Sequence, residues 1–153
     1  MQLPSVPAEV QRLAELFGGV WQGESTDESG ARSSVRWTVK AGLDGYCLIV
    51  DYAEELPNGR FYRGHGVHGW DPAEGAYLNY WFDNMGTVPR AANRAALSGN
   101  RYSYIWPRAD GGAQRFAYWR EGEVFRFTRE LATSAEGPWR VVQDGRFTRV
   151  TDS

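Results

Sequence analysis

The chain has 153 residues, 42% hydrophobic and 24% charged, a length that suits one domain able to bury roughly two-thirds of its unfolded surface and argues against a second. Seventeen basic residues against nineteen acidic ones give a net charge of -2 with the two signs interspersed, so the basic stripe that nucleic acid requires is missing. There is no run of about 18 apolar residues for a membrane helix, and Met1 to Pro7 lack the basic and apolar pattern of a secretory signal, so no membrane partner and a cytoplasmic address are expected.

The first periodic segment, 8–17, carries Val10, Leu13, Leu16 and Phe17 at helical spacing, with Glu9, Gln11, Arg12 and Glu15 facing away. Pro7 is tolerated in a first helical turn, and Gly18 with Gly19 stops the helix. One short amphipathic helix is no core by itself, so it must lie on something. After Gly19 the period becomes two, with turn signals at the spacing of a sandwich or barrel. Strands are predicted at 20–26, 33–40, 45–54, 60–70, 76–83, 87–97, 100–106, 114–120, 123–132 and 139–149. Pro57-Asn58-Gly59-Arg60 and Arg120-Glu121-Gly122-Glu123 are tight hairpin signals, and Asp71-Pro72-Ala73-Glu74-Gly75 and Asn84-Met85-Gly86 slightly longer ones. Cys47 is the only cysteine, and its neighbours Leu48, Ile49 and Val50 mark it as a buried thiol. Closing such a meander removes its edges. The expected fold is therefore all-β, an antiparallel up-and-down barrel of about ten strands over 20–150 behind a helix at 8–17, in a single domain 1–153; a sandwich is the alternative.

The stretch Leu16-Phe17-Gly18-Gly19-Val20-Trp21-Gln22-Gly23-Glu24 resembles the helix-to-first-strand junction of lipocalin-like barrels, with Gly19-Val20-Trp21 matching their Gly-x-Trp element. Together with Leu43-Asp44-Gly45-Tyr46, Gly64-His65-Gly66-Val67-His68-Gly69-Trp70-Asp71-Pro72 and Tyr80-Trp81-Phe82-Asp83-Asn84-Met85-Gly86, it resembles a bacterial lipocalin-like, calycin-type family of unassigned function across most of the chain. That resemblance implies that Trp21 packs across the closed end against an arginine of the final strand, here Arg149, as a structural pair. Nitrobindin-type haem barrels are similar at the N-terminus and imply an iron-ligating histidine near the C-terminus. The chain has none after His68, so no cofactor is expected.

His65 and His68 are the only histidines. Three positions apart on one strand, they face opposite ways and do not make a metal site, which needs three or four protein ligands. Which of them faces inward is open. The inward one is either a general base or hydrogen-bonder to a ligand, or a satisfied lumen histidine. Gly64 and Gly66 share a face and permit close packing there. Tyr77, Asn79 and Trp81 share one face of the next strand and read as lumen residues that orient a ligand, while Leu78, Tyr80 and Phe82 are expected to pack outward beneath the helix or loops, an assignment open to reversal. Trp37 with Val35 and Val39, and Phe125 with Phe127, form inward faces opposite Arg36, Thr38, Lys40 and Arg126, Thr128, Glu130. Tyr102, Tyr104 and Trp106, and Phe116 and Tyr118, add to the wall. The segment Arg90-Ala91-Ala92-Asn93-Arg94-Ala95-Ala96 reads as a strand or a short helical lid, with Arg90 and Arg94 as contacts for an acidic group or simply as a solvated edge.

The first functional hypothesis is a binding protein whose lumen takes a small hydrophobic or aromatic molecule on Trp37, His65 or His68, Tyr77, Asn79, Trp81, Tyr104, Phe125 and Phe127. The alternative is an isomerase, cyclase or hydrolase in which His65 or His68 moves a proton. No Gly-x-Ser-x-Gly elbow, nucleotide loop or metal-ligand cluster accompanies them. A third reading has the lumen filled by its aromatics and the protein working through its surface as a homodimer.

Overall fold

The computed structural model describes residues 1–151. The helix α1 spans Ala8–Phe17, buries Val10, Leu13, Leu16 and Phe17, and ends where the Gly18 amide bonds the Ala14 carbonyl. It is followed by ten strands: β1 (Gly19–Asp27), β2 (Arg32–Gly42), β3 (Cys47–Glu55), β4 (Phe61–Asp71), β5 (Ala76–Asp83), β6 (Asn93–Ser98), β7 (Arg101–Pro107), β8 (Ala113–Glu121), β9 (Val124–Ala132) and β10 (Arg140–Arg149). Each pairs antiparallel with its sequence neighbours, and β1 pairs with β10 to close the barrel. The all-β up-and-down barrel with a short N-terminal helix is thus the fold, and the sandwich is set aside.

The helix lies across one end of the barrel, beside the β2–β3 turn and the ends of β4 and β8. The Tyr77 hydroxyl donates to the Glu9 carbonyl and the Arg120 guanidinium to the Leu16 carbonyl, tying both ends of the helix to the barrel wall and giving a partner to Leu16, whose carbonyl the helix C-terminus leaves unpaired. Trp21 is fully buried beneath it, its indole N–H donating to the Phe17 carbonyl at 2.8 Å. The Arg149 guanidinium stacks on this ring at 4.2 Å and Arg120 at 4.9 Å. Gly19, at φ +135, leaves room for the Arg149 guanidinium, which a side chain there would strike. The expected Trp21–Arg149 packing is present, and Arg120 is a second partner that the sequence reading did not include.

Two expectations are corrected. The strand predicted at 87–97 forms only over Asn93–Ser98. Pro89 lacks an amide to give a ladder, and the Asp83 carboxylate binds the amides of Met85 and Thr87 in a turn, so β5 and β6 pair at only Tyr77↔Ala95, Leu78↔Arg94 and Asn79↔Asn93. Arg94 then points outward to Glu74, and Arg90 lies exposed in the connection. Second, the outward residues of β5 are not covered by the helix, which sits in the barrel end: Tyr80 is 44% and Phe82 45% exposed.

Candidate functional site

Alternation along each strand sends one aromatic set into the lumen. Trp37 stands in the middle, its ring edge-on to Tyr52, Tyr118, Phe125 and Phe127 at centroid distances of 4.4 to 5.8 Å. On the helix side of Trp37 the lumen is filled, leaving about 30 Å³ among Leu13, Phe17, Val39, Leu48, His68 and Phe125, space for about one water. On the other side it opens into a cavity of about 830 Å³ walled by Trp37, Tyr52, Trp81, Tyr104, Phe116 and Phe127. The question of a filled or an open lumen has a divided answer.

Trp81 lies flat on the wall because Gly64 and Gly66 have no side chains; a Cβ at Gly64 would come within 1.8 Å of its ring. Its indole N–H donates to the Tyr62 hydroxyl, which donates to Asp83. Burial works to raise the Asp83 carboxyl, but hydrogen bonds from Tyr62, Thr87 and Met85 outweigh it and hold the group below its ordinary range. Glu54 accepts from the Ser33 and Tyr52 hydroxyls at 2.6 and 2.9 Å.

His68 is the inward histidine, bonded through Nδ1 to the Tyr102 hydroxyl at 2.7 Å, and burial depresses its pKa to about 4. His65 faces solvent and pairs with Asp51. Burial pushes Tyr104 up to about 12, and desolvation likewise raises Tyr52, Tyr62, Tyr102 and Tyr118. This histidine and these tyrosines are therefore neutral at neutral pH.

Of the residues expected at the site, Trp37, Trp81 and Tyr104 line the large cavity, together with Phe127. His68 and Phe125 line the small space, Tyr77 and Asn79 are buried nearer the helix, and His65 is outside. Tyr52, Tyr62, Glu54, Gln114, Arg129 and Gln143 also line the cavity and were missed. Parity held the signal for Arg129: if Phe125 and Phe127 face in, so does the residue two further on.

Two buried nitrogens in the lumen have no hydrogen-bond partner, Trp37 Nε1 and Asn79 Nδ2, on side chains 3% and 2% exposed. The Asn79 amide lies close enough to the Tyr102 hydroxyl to oppose the effect of burial on it, without completing a bond.

The family described as "Protein of unknown function (DUF1579)" matches residues 7–93, more than half of the chain. The chain belongs to this family. No curated protein matches it. Among solved structures it is similar to a de novo designed fluorescence-activating β-barrel, at 12% identity and a TM-score of 0.50, over 90% of this chain and 96% of that one. At that identity the likeness concerns the fold. The part of the DUF1579 match that reaches the cavity includes Trp37, Tyr52, Glu54, Tyr62, Trp81 and Asp83.

Proposed function

We propose that this DUF1579 protein binds a small, largely aromatic or apolar molecule in the open half of its barrel. The observation that carries the reading is a cavity of about 830 Å³, within the range of ligand sites, floored by Trp37 and walled by Tyr52, Trp81, Tyr104, Phe116 and Phe127. The aromatic faces that line it give the ligand area without flexible side chains to order.

The isomerase, cyclase or hydrolase alternative asks for a group that gains and loses a proton near neutrality. The inward histidine is displaced far below that range and the lumen tyrosines above it, which favours binding over proton transfer at these residues. Kinship with lipocalin-like barrels is part of the proposal, supported by the Trp21–Arg149 stack; so is a reducing, cytoplasmic setting, supported by the buried free thiol of Cys47.

Native mass spectrometry of the protein isolated from its own host tests the reading. A stoichiometric small molecule, released on denaturation, is the expected result. A protein that is empty as isolated and remains empty against its host's small-molecule extract contradicts it.

A further inference from the structure

Among the described residues three strand arginines face the interior, with Arg60 exposed on the β3–β4 turn at the cavity rim; two of the three are committed at the helix end, where Arg149 bonds the Gly18 carbonyl and Arg120 the Leu16 carbonyl, both stacked on Trp21. The third, Arg129 of β9, points into the large cavity near its mouth. Its Nε donates to Gln143 Oε1 and its Nη1 to Gln114 Oε1, each at 3.3 Å. Among the described residues it has no carboxylate partner, whereas Arg115 and Arg126 on the outer face have one or more. Gln143 is itself anchored, donating to the buried Ser25 hydroxyl at 2.7 Å. Two neutral amides thus hold a half-buried guanidinium in place without a direct ion pair, with Nη2 unbonded.

The two carboxylates of the cavity, Glu54 and Asp83, already accept two and three hydrogen bonds. Arg129 Nη2 is a donor on the cavity wall with no partner among the described residues. Phe127, whose ring lies 5.8 Å from Trp37, is two residues before Arg129 on the same face, a rise of about 7 Å. An occupant that reaches from Arg129 to Trp37 lays its apolar body against Phe116 and Phe127.

We infer that the ligand is an aromatic or amphiphilic organic acid whose carboxylate, or equivalent anionic group, is taken by Arg129 at the mouth while its apolar body lies on the Trp37 floor. This rests on the lumen-binding reading above and adds the sign of the ligand's charge. A planar guanidinium matches a carboxylate with two parallel bonds, and the amides of Gln114 and Gln143 fix its orientation before the ligand arrives.

The test compares two fluorescent probes with the same aromatic body, 1-anilinonaphthalene-8-sulfonate and the neutral N-phenyl-1-naphthylamine, titrated into the full chain and into Arg129→Met, Arg129→Lys and Arg12→Gln, each first checked for cooperative unfolding. The sulfonate is expected to bind the wild type more tightly than the neutral probe. Arg129→Met should weaken the sulfonate about tenfold or more and leave the neutral probe unchanged, Arg129→Lys should fall between, and the surface variant Arg12→Gln should match the wild type. If Arg129→Met does not fold, Arg129→Lys carries the comparison. Equal affinity for both probes, tighter binding of the neutral one, or equal losses for both on changing Arg129 overturns the acidic-ligand inference and leaves lumen binding standing. Failure of both probes to bind the wild type overturns the two together.

Discussion

His68 and Arg129 both face the lumen of this barrel, and their surroundings treat charge in opposite ways. His68 is enclosed by Leu48, Tyr102 and the helix end, where burial favours the neutral imidazole and sets its pKa at about 4, below the ordinary 6.5. Between those values the unfolded chain binds a proton that the folded one refuses, so folding is most stable above pH 6.5 and weakens as pH falls toward about 4. A displacement from 6.5 to about 4 corresponds to about 3 kcal/mol. Urea unfolding of the wild type and His68→Gln across this range should show the wild type losing about that much more stability; parallel curves would contradict the buried, neutral assignment. Which histidine faces in was not legible, because parity separates His65 from His68 without saying which is inside. The pairing of β4 with Trp81 of β5 and the Tyr102 hydroxyl decides it. Arg129 was legible through Phe125 and Phe127, and was passed over because arginine by itself reads as surface.

At the level of elements, nine of the ten strands were readable from alternation and turn residues, and the exception is informative. Residues 87–97 contain enough small and apolar side chains to look like a strand, yet Pro89 and the amides claimed by Asp83 keep 87–92 out of the ladder. The β5–β6 seam therefore has three residue pairs, against nine between β2 and β3. Past Asn79, β5 lacks β6 as a neighbour where Trp81 and Asp83 border the cavity mouth. Hydrogen exchange by NMR should find the amides of 80–83 that point away from β4 among the fastest of all strand amides. Protection there equal to that of the β2–β3 pair would mean the seam is closed. An entrance beside the weakest seam suits a binding barrel, since the wall yields where the ligand must pass.

Across the whole molecule, one end is built for stability and the other for access. The helix, Trp21 and two stacked arginines seal the first, while tyrosines, tryptophans and phenylalanines wall the second without filling it. Closure into a barrel followed from the sequence, because ten short strands with tight turns have no other economical way to hide their edges. The cavity did not, because its volume depends on how the rings of Trp37, Trp81 and Phe116 are turned, which alternation does not encode. The central claim, that this open half holds a small molecule against Trp37, is tested most directly by the indole N–H resonances of the seven tryptophans as the host's small-molecule fraction is added. The account predicts that the Trp37 resonance moves as a ligand packs on its ring, with Trp81 and Trp106 following and the sealed Trp21 unchanged. Shifts confined to the outer-face Trp119 and Trp139, or none at all, would contradict it.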